Sequence, residues 1–282
     1  MRKRIALGVE YDGSRYHGWQ TQQDADSIQE RLERALTQVA DHQVETVCAG
    51  RTDRGVHATQ QVVHFDTTAH RSLRGWQLGT SRLLPDDIAV IWAQEVSADF
   101  HARYSARSRQ YRYVILNRLT RPGLQNGRVT WWYHELDAHK MHQAAQQLLG
   151  EHDFTSFRGK DCQAHSPVRL IESIAVTREG QYIYIDVRAN AFLHHMVRNI
   201  VGTLMEVGQG KQPVGWVSEV LKARDRNAAG ITAPAEGLYL VHVHYPKTTG
   251  LQLTPRIPVF EQPASFHGEY RACCVPVNGR IC

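Results

Sequence analysis

Residues 45–65, ETVCAGRTDRGVHATQQVVHF, place a charged, glycine-flanked centre between two apolar runs. ETVCAG (45–50) and QVVHF (61–65) have the composition of strands, so the charged centre reads as a loop at a sheet end. Upstream, RIALGVEY (4–11) is a further strand. Ser27 and Glu30 form a capping-box pair, and Ile28, Leu32, Ala35, Leu36 and Val39 follow at helical spacing. Downstream, residues 72–84 read as a helix, Pro85 and two aspartates as a break, and IAVIWAQEV (88–96) as a strand. The order is β-α-β-β-α-β, the split βαβ or ferredoxin-like unit.

A similar order follows in the second half. Strands are expected at 109–116 and 128–135, and Asp137 caps a helix carrying Met141, Ala144, Ala145, Leu148 and Leu149, closed by Gly150. Residues 169–177 and 182–189 are separated by Glu-Gly and read as a hairpin. A long helix over roughly 192–207, a short one near 214–223 and a strand at 237–245 complete the half. The expected fold is α+β: two ferredoxin-like halves, 1–104 and 105–246, forming a mainly antiparallel sheet flanked by helices, with a cleft between them. Residues 247–282 are a proline-rich C-terminal extension, ordered only if it packs on something.

At 282 residues and 42% hydrophobic composition the chain can bury a sizeable core. No apolar run approaches the length of a membrane-spanning helix, and the basic N-terminus lacks the features of a secretory signal. Five cysteines without a C-x-x-C pair fit neither a disulfide framework nor a structural zinc site, which points to a reducing compartment, the cytoplasm. Cys273, Cys274 and Cys282 are better candidates for oxidation than for metal. The net charge of +5 is uneven. Residues 100–134 hold seven arginines and no Asp or Glu, with Tyr104, Tyr111 and Tyr113 interleaved. Arginines beside aromatics suit a phosphate backbone and stacked bases, although a solvated basic face has the same composition.

Within AGRTDRGVHA (49–58), Asp53 lies between Arg51 and Arg54, whose charges favour an ionised carboxylate. Such a group in a cleft serves as a covalent nucleophile, and equally Asp is an ordinary turn residue. Other chemical signals fail. His194 and His195 are adjacent, so on a helix they point to different faces and lack the i, i+4 spacing of a zinc pair. GQGK (208–211) lacks the first glycine of a P-loop, and no nucleophile-elbow or dinucleotide motif is present. No metal or cofactor is expected.

AGRTDRGVHA nevertheless resembles the signature loop of the tRNA pseudouridine synthase A family. EYDGSRYHGWQ (10–20), SIQERLERAL (27–36), DFHARYSARSRQYRYVI (99–115), GEHDFTSF (150–157), NAFLHHMVRNIVGTLMEVG (190–208) and AEGLYLV (235–241) resemble it too, in the family's order. The resemblance covers about residues 3–245. It implies that Asp53 is the nucleophile of uridine-to-pseudouridine isomerisation, with attack at the sugar C1′ or the base C6 left open. It further implies that Arg51 helps hold the flipped base out of the RNA helix and that Tyr111 stacks on the uracil. Arg198 would pair with Asp53, and Leu238 would lie at the pocket. The substrate implied is the tRNA anticodon stem-loop at positions 38, 39 and 40. The implied assembly is a homodimer whose basic stretch lines the cleft. Strand parity agrees for Tyr111, which shares a face with Arg107, Arg109 and Tyr113 while Arg112 and Val114 share the other. Two other readings remain at this point. One is a non-catalytic RNA-binding protein. The other, an aspartate-dependent phosphohydrolase, lacks a second carboxylate within two residues of Asp53.

Overall fold

The computed structural model describes residues 2–260. The first half runs β1 (Lys3–Tyr11), α1 (Ile28–Ala40), β2 (Val47–Cys48), β3 (His57–Thr67), α2 (Thr80–Leu83) and β4 (Ile88–Val96). The second runs β5 (Ser108–Asn117), β6 (Thr130–Trp132), α3 (Ala138–Ala145), β7 (Gly150–Asp153), β8 (Val168–Glu179), β9 (Tyr182–Ala189), α4 (Met196–Gly208), α5 (Trp216–Ala223) and β10 (Leu238–His244). All ten strands form one mixed sheet in the order β4-β1-β3-β10-β5-β9-β8-β7, with β2 on β3 and β6 on β5. Most pairings are antiparallel, and β10 with β3 and β5 with β6 are the parallel ones. The halves join where β10 lies between β5 and β3, pairing Leu240 with Tyr111 on one side and with Ala58 on the other.

Local chemistry explains the elements and their limits. The Ser27 hydroxyl accepts the Glu30 N–H at 3.3 Å and starts α1, whose buried stripe is Ile28, Leu32, Ala35, Leu36 and Ala40. Asp41, in the left-handed region at φ 58°, ends it. The helix expected over 72–84 forms from 73 to 83, with a π-turn at Gly75–Gly79 that seats Trp76 edge-on against Phe65 at 5.1 Å before α2. The expected strand at 128–135 shrinks to three residues. The helix after Asp137 ends earlier than Gly150 suggests: a 3-10 turn at Gln146–Leu148 follows α3, and Gly150, at φ 96°, opens the edge strand β7.

The sheet has two unlike faces. Tyr111, Tyr113 and Ile115 of β5 face the helices and the main core, with Ile183, Ile185 and Leu240 beside them. Val114 and Leu116 face the other side with Tyr182, Tyr184, Tyr239 and Val241. Each fully buried aliphatic side chain contributes about 1.5–3 kcal/mol. Residues 246–260 do pack, as a strap: Leu251 is buried with the main core, Leu253 lies against it, and Phe260 lies against the second face. Arg256 donates its N–H to Val241 O at 3.3 Å, Thr59 bonds the Arg256 carbonyl, and Phe260 stacks on Tyr182 at 5.9 Å. Cys273, Cys274 and Cys282 lie outside the described residues. Among the described residues no helix is long and apolar enough to cross a membrane.

On the helical side α4 is anchored through a buried polar side chain, Asn199. That amide donates to Phe157 O at 2.8 Å and accepts from Thr232 Oγ1 at 2.6 Å and Arg226 at 3.1 Å. Gly202 lets residues 230–233 cross the helix: a Cβ there would sit 1.8 Å from Ile231 O.

Candidate active site

Three backbone carbonyls of the loop after β2 are held by hydrogen bonds. Trp19 N donates to Thr52 O at 3.0 Å, Val56 N to Asp53 O at 3.1 Å, and the Gln61 amide to Gly50 O. Gly13 and Gly18 permit this close approach, since a Cβ would meet Val56 O at 2.0 Å and Thr52 O at 2.7 Å respectively. Below the loop, the Thr52 hydroxyl bonds the buried Tyr11 hydroxyl at 2.8 Å. Asp53 is thereby projected, half-buried, into a cavity of about 710 Å³.

Arg51, Asp53, Tyr111, Arg198 and Leu238 all line that one cavity. Arg198, in the first turn of α4, places Nη1 at 3.6 Å from Asp53 Oδ2 and donates Nε–H to Ala233 O at 2.8 Å. The backbone carbonyl aims the guanidinium while leaving one end for the carboxylate. Arg51 and Arg54 are exposed and make no ion pair with Asp53; the cation facing Asp53 is Arg198, from far along the chain. Tyr111 is buried and packs edge-on against Phe192 at 5.1 Å, with its hydroxyl near Gly50. Burial, then the negative charge of Asp53, pushes the Tyr111 phenol up, so it stays neutral at physiological pH. Leu238 supplies apolar wall at the start of β10.

The two adjacent histidines are placed differently from the expectation. α4 begins at Met196 rather than near 192, because His195 sits in the left-handed region at φ 61°. His194 and His195 are therefore not on opposite helix faces. Their rings stack at 3.8 Å and both Nε2 atoms point at Asp53, 3.5 Å from Oδ1 and Oδ2 respectively. Burial pushes His195 below the usual imidazole range, against the pull of Asp53. Sequence spacing missed both residues because it presumed a helix through them. The tolerance of His for positive φ is the one local hint.

The arginine-rich stretch also divides. Arg103 and Arg109 line the cavity, beside Tyr104, which is 75% exposed and has Arg103 5.6 Å above its ring. Arg112 is spent on the opposite face, paired in a two-pronged contact with Asp186 at 2.7 and 2.8 Å. Arg128 pairs with Asp12 at 3.0 Å. Arg109 donates to Ala49 O at 2.8 Å, Arg103 O at 2.6 Å, Asn190 O at 3.1 Å and Ala106 O at 3.3 Å, so it ties the Asp53 loop to two other segments.

An arginine-paired carboxylate, a neutral buried phenol and an exposed, unpaired Arg51 around one cavity of mixed polar and apolar lining suit a planar base delivered by a polyanion. Residues 8–105 and 144–246 match the family model described as tRNA pseudouridine synthase. The chain belongs to that family and is an isomerase. It is 57% identical over 257 residues to tRNA pseudouridine synthase A of Actinobacillus pleuropneumoniae, covering 91% of this chain and 98% of that one. The proteins of the same name from Legionella pneumophila (57%, covering 91% and 98%) and Escherichia fergusonii (56%, covering 91% and 95%) are similar over the same length. The family model's second span ends at residue 246, and its two spans cover most of the sheet and of the cavity lining.

Proposed function

We propose that the chain converts uridine to pseudouridine in the tRNA anticodon stem-loop, at positions 38, 39 and 40, with Asp53 as nucleophile. The observation that carries this is the half-buried Asp53 carboxylate, 3.6 Å from Arg198 and in the same cavity as Tyr111. The N1–C1′ bond breaks, the freed uracil turns, and a C5–C1′ bond forms. C5 loses its proton and N1 gains one, so atoms balance with no redox change and no cofactor. A base in a stem must first leave the stack, which costs a few kcal/mol. The exposed, unpaired Arg51 at the cavity mouth is suited to fill the vacated space, and Tyr111 with Leu238 to sandwich the extruded ring. Phosphates and 2′-hydroxyls of the stem would be gripped by the exposed arginines rather than read through the deep groove.

We also read the halves, 1–104 and 105–246, as two ferredoxin-like units. The equivalent strand orders β4-β1-β3-β2 and β10-β5-β9-β8 support this. A homodimer in the cytoplasm completes the reading, the latter in keeping with the free Cys48 and Cys162. The test is pseudouridine content of an unmodified tRNA transcript carrying uridines at 38 to 40, incubated with wild type or Asp53→Asn and without added metal. Conversion by wild type alone is expected, with RNA binding retained by the variant. Turnover near wild type in Asp53→Asn would remove Asp53 as nucleophile, and tight binding without conversion by either protein would favour a binding protein.

A further inference from the structure

We propose that Asp53, His194 and His195 form a transition-metal site, suited to Zn²⁺, whose occupancy switches the enzyme off by capturing its carboxylate. The three side chains offer one carboxylate oxygen and two imidazole nitrogens, all within 4.8 Å of one another. Each Nε2 lies 3.5 Å from an Asp53 oxygen. That separation is too long for a good hydrogen bond, so the nitrogens are not committed to the carboxylate. It is close to the edge of a tetrahedron, about 3.3 Å, built on metal–ligand bonds of about 2.0–2.1 Å. The two short distances run to different oxygens, so an ion held by one of them needs the remaining separations, up to 4.8 Å, to close by rotation of these side chains, and the adjoining cavity leaves its fourth position to water.

The donor set selects the ion. Two imidazoles and one carboxylate favour Zn²⁺ or its neighbours among late first-row metals, while Mg²⁺ and Ca²⁺ prefer all-oxygen shells. Two features make the site exchangeable rather than structural. Arg198, 3.6 Å from Asp53 Oδ2, opposes a second cation, and His194 Nδ1 is buried without the hydrogen-bond acceptor that usually steadies a metal-bound imidazole. The expected behaviour is reversible inhibition. The ion ties up the oxygen that must attack and fills the space the uracil would enter, while phosphate contacts at the rim persist. Inhibition rests on Asp53 being the nucleophile; metal binding does not.

The experiment is calorimetric titration of metal-free full-length protein with ZnCl₂, repeated with Co²⁺ to read the visible absorption of a tetrahedral N/O site. Variants are His194→Gln and His195→Asn, the second chosen because Asn tolerates the positive φ of that position. Circular dichroism and tRNA binding check their folds. Wild type should bind one ion at this site and each variant should bind it at least about tenfold more weakly. Zn²⁺ at about ten times its Kd should slow pseudouridine formation about tenfold, reversibly with EDTA. Equal Zn²⁺ and Co²⁺ binding by wild type and both folded variants would overturn the site, as would absence of any binding. If a variant does not fold, the Co²⁺ spectrum of wild type decides: an octahedral rather than tetrahedral band overturns the proposal. Binding lost in the variants with wild-type turnover untouched by Zn²⁺ would overturn the inhibition. An active Asp53→Asn would instead refute the nucleophile, a separate result.

Discussion

Arg109 lies in the basic stretch but has no free donor to offer RNA, and replacing it separates structure from phosphate binding. Its five hydrogen bonds reach four carbonyls: Ala49 by Nε at 3.2 Å and Nη2 at 2.8 Å, then Arg103, Ala106 and Asn190. Burial pushes the guanidinium pKa down, yet no carboxylate neutralises it, so the carbonyl dipoles are what hold the charge. In Arg109→Met the three partly buried bonds, two to Ala49 and one to Ala106, lose about 1 kcal/mol each, while the exposed pair is refilled by water. The sum, about 3 kcal/mol, corresponds to a Tm lower by about 6 °C for a chain of this size. Because Ala49 starts the Asp53 loop, a displacement of about 1 Å there should also cost about a hundredfold in turnover. Arg109→Lys keeps the charge but not the planar fork and should recover little of either loss. Melting followed by circular dichroism, the pseudouridine assay and the salt dependence of tRNA binding check all three points. The salt slope should be that of wild type in both variants. A Tm within about 1 °C of wild type for Arg109→Met, or full rescue by Lys, would refute the carbonyl-fork account.

Gly202→Ala would drive a methyl into Ile231 O, 1.8 Å away, and should destabilise by more than about 2 kcal/mol, read as urea midpoint; an unchanged midpoint would mean residues 230–233 do not cross α4 so closely. His64 and His242 are each pushed down to about 4, His64 by burial with Arg4 and His101, His242 by burial with His244 and Arg188. The unfolded chain then takes up protons below its pKa of about 6.5 while the folded one does not, so stability present above 6.5 is lost as pH falls toward 4, by roughly 1.5 kcal/mol per site after halving for relaxation. A Tm flat from pH 7 to 4.5 would contradict this. Raising salt from about 50 to about 200 mM should weaken tRNA binding by one or more decades if the exposed arginines neutralise several phosphates; a salt-insensitive Kd would sink the basic cleft.

Most of the sheet was legible because strand alternation and the Ser27 cap are local signals, acting within one element. β1, β3, β4, β5, β8, β9 and β10 lie where apolar runs mark them. The failures have a common physical origin in tertiary context. The π-turn carrying Trp76 inside the expected 72–84 helix is set by its packing on Phe65 and not by any local signal, and β7 exists because β8 offers its edge from Val168 to Ile171. The strap over residues 246–260 has no periodicity: after a single 3-10 turn at Lys247–Thr249 it sets Leu251 into the main core and Phe260 against the tyrosines, following the surface it covers.

The five expected site residues converge on one cavity because β10 runs parallel to β3 and antiparallel to β5. That insertion carries Leu238 beside Tyr113 and brings β5, with Tyr111, alongside the Asp53 loop. Without it, Asp53 and Tyr111 would belong to separate sheets, and no local motif requires them to meet. Arg198 depends on a further step, the left-handed His195 that turns the chain into α4 with its first turn facing Asp53. The same step turns both imidazoles inward. His195, costing strain at φ 61° beside the Asp53 carboxylate, is a position where tertiary geometry outweighs local preference. Adjacent histidines were discounted on helical spacing, and that spacing did not apply because the helix had not yet begun.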